Sequence, residues 1–166
     1  MNPSDRSAAI ADLAGRIKGI RTAMLTTADE QGRLRSRPMA TQDMEPDGTL
    51  WFFTCEDSPK VDEVERERQV NVSYSDDGRS LWVSVSGTAA VVTDRAKIEE
   101  LWKPILKAWF PKGLEDPDLA LLRVSPTAAE YWDAPTSKMV QVASIAKAAL
   151  SGEEYRPGEH RKVELG

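Results

Sequence analysis

A strand-like run from Trp51 to Cys55 leads into Ser58-Pro59-Lys60, a pattern that opens a helix with a hydroxyl cap, a first-turn proline and a cation. A helix start has unpaired N–H groups and a partial positive charge, so a serine hydroxyl and a lysine ammonium there suit a phosphate. The same residues also suit a capped surface helix with a solvated lysine. Upstream, Arg33, Arg35 and Arg37 recur at period two and share one face wherever the strand is regular. That face is either a cationic wall or an exposed strand of solvated arginines. Pro38 follows directly, cannot donate to a sheet ladder, and leaves a neighbouring backbone acceptor available.

Other chemistries have few residues to work with. His160 is the only histidine and sits in the polar stretch "SGEEYRPGEHRKVELG", which has no apolar periodicity to hold it against a core. A Ser-His-Asp triad, a Cys-His pair or a multi-histidine zinc site would need a better-placed imidazole. Cys55 is the only cysteine, which excludes an internal disulfide and any multi-cysteine metal or iron–sulfur site. If the chain is an enzyme, a cofactor performs the chemistry.

The 166 residues match one domain with one core. With 22 Lys plus Arg against 27 Asp plus Glu, the net charge of -5 argues against a nucleic-acid partner. With 40% hydrophobic and 30% charged residues and no long apolar run, the chain reads as soluble, with no membrane span. The first twenty residues carry charges throughout and do not resemble a secretory signal, which makes the cytoplasm the expected location.

The elements that must position these residues follow from periodicity and turn chemistry. Ser4 is expected to cap a first helix over about 5–19, with Ile10, Leu13, Ala14 and Ile17 on one face and Gly19 as terminator. Strands are expected around "RTAMLTTAD", "RLRSRPMAT" and "LWFFTC", then a short helix over 59–68 with Val61 and Val64 inward. "QVNVSYSD" and "SLWVSVSGTAAVV" alternate across a "DDGR" hairpin. Asp94 caps a helix expected to carry Ile98, Leu101, Trp102, Ile105 and Trp109, with Trp102 and Trp109 on one face. "LALLRVSPTAAEYWDA" is a sixth strand, bent at Pro126. A final helix places Met139, Val142, Ile145, Ala146 and Ala149 on one face. Six antiparallel strands with short turns favour a closed or split barrel, because closure removes exposed edges. The expected organisation is one mainly β domain with helices over 1–150, an α+β six-stranded antiparallel split barrel, followed by a polar tail over 151–166.

The segments "SRPMATQ", Ser36 to Gln42, and "FFTCEDSPK", Phe52 to Lys60, resemble the flavin-binding segments of the pyridoxamine 5'-phosphate oxidase-like split-barrel proteins. "LWKPILKAWFPKGLEDPDLALLRVSP" and "AEYWD" are similar to the bacterial general stress protein 26 group, and the resemblance runs from about Arg21 to Leu150. It implies an FMN cofactor, with FAD as the alternative, bound by a homodimer. It also implies that Arg37, Pro38, Met39 and Ala40 follow the flavin ring, with Arg37 approaching the phosphate. Phe53, Thr54, Ser58 and Lys60 would hold that phosphate, Trp82 would stand at a flavin contact, and Trp132 would reach the flavin of the dimeric partner.

After "EYWD" the oxidases carry an Arg-x-His segment that grips the vitamin substrate, whereas this chain continues "APTSKMVQVASIAKAAL". The departure implies a general stress type flavin protein without pyridoxamine phosphate oxidase activity. A split-barrel oxidoreductase with a defined substrate and a flavin-free interaction module are the alternatives. Thr41 and Lys138 could touch a substrate, whose identity the residues do not reveal.

Overall fold

The computed structural model describes residues 2–134, 138–154 and 158–166. Helix α1 (Pro3–Ile17) is capped by Asn2, whose Oδ1 accepts from the Asp5 N–H at 2.8 Å, rather than by Ser4. Pro3 takes the first helical position and draws the start forward by two residues. Gly19 follows the helix end at φ 83°, a conformation that glycine adopts without strain.

Strands β1 (Thr22–Ala28), β2 (Leu34–Ala40), β3 (Leu50–Cys55), β4 (Gln69–Asp76), β5 (Leu81–Val92) and β6 (Leu119–Asp133) pair antiparallel in the order β2-β1-β4-β5-β6-β3. This is the split barrel. Helix α2 (Pro59–Arg66) buries Val61 and Val64. Within the barrel, Leu25, Phe52, Val72, Val85 and Tyr131 form the main core, covered by Ile10, Leu13 and Ile17 of α1. Strand β3 is buried on both faces, which is why it reads as a continuous apolar run. Its Trp51 and Phe53 point into a second core with Ile98, Leu106 and Leu121.

The sixth strand bends where Pro126 predicts. The β5–β6 register shifts between Ser86 and Gly87, and a Cβ on Gly87 would run into the Ser125 carbonyl. Helix α3 (Arg95–Leu101) is shorter than its apolar spacing suggests. Pro104 disfavours helical geometry at Lys103 and opens a separate 3-10 turn, Pro104–Ala108. Trp102 and Trp109 therefore part company: Trp102 packs edge-on against Phe53 at 5.6 Å, while Trp109 is 61% exposed.

Helix α4 (Lys138–Ser151) forms as expected, yet Val142, Ile145, Ala146 and Ala149 face solvent and Gln141 turns inward to donate to Ser80 Oγ. The side chains of 138–140 lie outside the described residues, and with them the roles read for Lys138 and Met139.

The stretch read as a polar tail contains a seventh strand, β7 (Glu159–Glu164), paired with the second half of β6. Arg16 of α1 ties it down, with Nη2 on Glu159 at 3.1 Å, Nη1 on Asp133 and the guanidinium over the Tyr131 ring at 3.7 Å. Arg6 donates to the Leu165 carbonyl at 2.8 Å, and Leu165 itself is buried. His160 is accordingly held in a strand, stacked on Trp132 with ring centroids 5.1 Å apart.

Candidate functional site

The side chains of Arg35, Arg37 and Met39 lie on the face of β2 that turns toward α2, and Met39 is buried there. Arg37 reaches Glu63 of α2, donating to Oε2 at 2.7 Å and to the Thr27 hydroxyl of β1. Thr27 in turn donates to the same carboxylate oxygen, and Arg35 stands 3.7 Å from the other. Glu63 is only 5% exposed, so its charge depends on these donors. Arg33 does not join them: it precedes the strand and pairs with Asp29 at 2.8 Å. Sequence reasoning missed Glu63. The partly buried Arg37 calls for a counter-charge, but Asp62, Glu63 and Glu65 are equivalent candidates until the helix is docked.

The start of α2 lies beside this pair. Ser58 is the N-cap residue, but its side chain makes no capping bond, and its Oγ sits 3.0 Å from the Thr54 hydroxyl of β3. Lys60 is half-buried and makes no ion pair among the described residues. Burial holds its ammonium below the usual lysine range, and the nearby Arg37 guanidinium pushes in the same direction. Two cations are thus brought together in a corner at an uncapped helix start, where the buried carboxylate, Glu63, is engaged by Arg37 and Thr27. Cys55 is a packed strand thiol whose pKa is pushed up by burial and then by Asp116 and Asp57, the opposite of an activated thiolate.

Other sequence-derived positions fall elsewhere. The Phe53 side chain is buried against Trp102 and Phe110, which leaves only its backbone facing the corner. Trp82 and Trp132 are register partners on the outer face of the sheet, where they line a shallow cavity of about 260 Å³ with Met24 and Ser73. Pro38 is exposed at the edge strand, opposite Met24. Strands β1 and β4 separate β2 from β5, so three strand spacings, about 14 Å, divide Arg37 from Trp82. Within one chain the tryptophans and the cationic corner are two separate places.

A larger cavity of about 790 Å³ opens between the end of α1, residues 40–44 and the 3-10 turn. Ala40 and Thr41 lie on its wall, and Thr41 is fixed by donating to the Ile20 carbonyl. Among the described residues, no group of three or more His, Cys, Asp or Glu is placed to hold a metal, and no helix is long and apolar enough to cross a membrane.

The antiparallel split barrel is the fold of the pyridoxamine 5'-phosphate oxidase-like class. The family model described as "Pyridoxamine 5'-phosphate oxidase like" matches residues 8–156, and the chain belongs to that family. It is similar to a general stress protein 26 from Jannaschia sp. CCS1, with 31% identity and a TM-score of 0.70 over 95% of this chain and 99% of that one. The general stress FMN/FAD binding protein of Xanthomonas citri is 35% identical with a TM-score of 0.65, covering 76% of this chain and 89% of that one. Protein bli-3 of Neurospora crassa is 32% identical over 164 residues, 93% of this chain and 78% of that protein.

Proposed function

We propose that this chain is a cytoplasmic, homodimeric flavin protein of the general stress type. It binds FMN, with FAD as the alternative ligand, for small-molecule redox chemistry and does not oxidise pyridoxamine phosphate. The observation that carries this reading is Lys60, a half-buried cation that makes no ion pair among the described residues, set beside Arg37 at an uncapped helix start. A phosphate would satisfy both cations together, at the positive end of the α2 dipole.

In this reading Arg37, Thr54, Ser58 and Lys60 hold the phosphate, while Pro38, Met39, Ala40 and the backbone at Phe53 follow the ring. Trp82 and Trp132 come from the second copy, since strand order keeps them from the corner of their own chain. When bound, the flavin supplies hydride and electron transfer, which needs no catalytic histidine from the protein. The Xanthomonas citri relative, described as FMN/FAD binding, supports the cofactor class. The decisive experiment is the absorption spectrum of purified protein before and after addition of FMN. Flavin bands that remain with the protein through gel filtration are expected, and their absence after loading would leave the flavin-free module as the better reading.

A further inference from the structure

The 790 Å³ cavity lies apart from the cationic corner: Arg37, Thr54, Ser58 and Lys60 are absent from its walls, and only Ala40 belongs to both it and the proposed flavin stretch. Its volume is in the range that holds small organic molecules. Three cations, Lys18, Arg21 and Lys103, line it against one carboxylate, Asp43, and none of the four makes an ion pair among the described residues. On a chain of net charge -5, this is a local reversal of sign.

The remaining lining adds two requirements. Trp109 and Ile105, 61% and 68% exposed, hold large apolar surfaces at the rim, which a flat apolar body would cover. Gln42 lines the cavity, and its Oε1 is buried without a hydrogen-bond partner among the described residues, so a ligand that turned the amide toward it and brought an N–H or O–H would supply the donor that oxygen lacks. A ligand answering all three is planar and apolar, with an anionic group at one end and a hydrogen-bond donor.

We propose that this cavity binds an aromatic hydroxycarboxylate, the small-molecule partner that the proposed flavin would act beside. Its role next to a flavin rests on the proposed function, whereas its binding rests on the cavity alone. The probe is 4-hydroxybenzoate, titrated calorimetrically into FMN-treated wild-type protein. One saturable site per chain is expected, with 4-hydroxybenzyl alcohol, which lacks the charge, bound about tenfold more weakly or worse. Lys103→Ala and Arg21→Ala should each weaken the acid by about tenfold and the alcohol little. Gln42→Met should erase the preference for 4-hydroxybenzoate over benzoate, with thermal melts confirming that the variants are folded.

Lys60→Ala separates the two readings, because it should lose FMN and keep the probe. If wild-type protein takes the probe but no FMN, the flavin role falls and the cavity assignment stands. Equal binding of acid and alcohol, indifference to Lys103→Ala, displacement of the probe by FMN, or no binding at all would each overturn the proposal.

Discussion

The guanidinium of Arg37 donates to Glu63 Oε2 at 2.7 Å across the gap between β2 and α2, joining the edge strand to the helix that carries Lys60. Removing one partner of a buried pair leaves the other uncompensated, at a cost of about 3 kcal/mol or more. Arg37→Ala is therefore expected to lower unfolding stability in urea by about that amount. The double variant Arg37→Ala/Glu63→Leu should recover most of the loss. A single variant within about 0.5 kcal/mol of wild type would show that Arg35 and Thr27 suffice for Glu63.

Lys60 should act on the ligand rather than on the fold. A charge-assisted hydrogen bond contributes about 1.5 to 3 kcal/mol, so Lys60→Ala is expected to weaken FMN roughly ten- to a hundredfold. Riboflavin, without a phosphate, should change far less. Fluorescence titration of both flavins reads the difference, and equal losses would remove the phosphate from this corner.

The depressed ammonium of Lys60 also sets a pH dependence. A bound phosphate restores the charged form, so the Lys60 pKa is higher in the complex than in the free protein. Below the free-protein value the lysine is charged in both states and contributes no slope. Above it, binding takes up a proton and affinity falls as pH rises, starting below the ordinary lysine range. Lys60→Arg should abolish this limb, and titrations at several alkaline pH values would reveal it. A wild-type limb that persists in the arginine variant would assign the titration to another group.

The distance between the cationic corner and the Trp82–Trp132 pair gives a test of the homodimer. Lys60→Ala and Trp132→Ala chains should each bind FMN poorly alone, while co-refolding the two should restore about one good site per heterodimer. Such complementation requires a site shared between two chains. A flavin-loaded monomer in sedimentation at micromolar concentration would exclude the arrangement.

Flavin binding and vitamin oxidation should come apart. The buried phosphate of pyridoxamine phosphate needs compensating donors, and the Arg-x-His segment that supplies them in the oxidases is missing here. FMN-loaded protein is expected to form no pyridoxal phosphate aerobically. Robust turnover that disappears in Lys60→Ala would show that another surface supplies those contacts.

Much of this molecule was legible residue by residue because its causes are local. Period-two alternation, the "DDGR" hairpin, Pro126 at the bend and Ser58-Pro59-Lys60 at the start of α2 each depend on sterics within a few residues. Asn2 capping α1 and Pro104 ending α3 are equally local, and there the apolar spacing outweighed a proline rule that the structure obeys. Tertiary structure alone decided the rest. Glu63 became the buried acid only when α2 docked on β1 and β2, and β7 pairs with the free edge of the second half of β6, where Glu159 joins Asp12 and Asp133 around Arg16. The outer-face tryptophans, the corner and the cavity acquired their places through strand order. Strand pairing satisfies backbone hydrogen bonds between residues far apart in the chain, and that long-range pairing leaves no periodicity in the sequence to read.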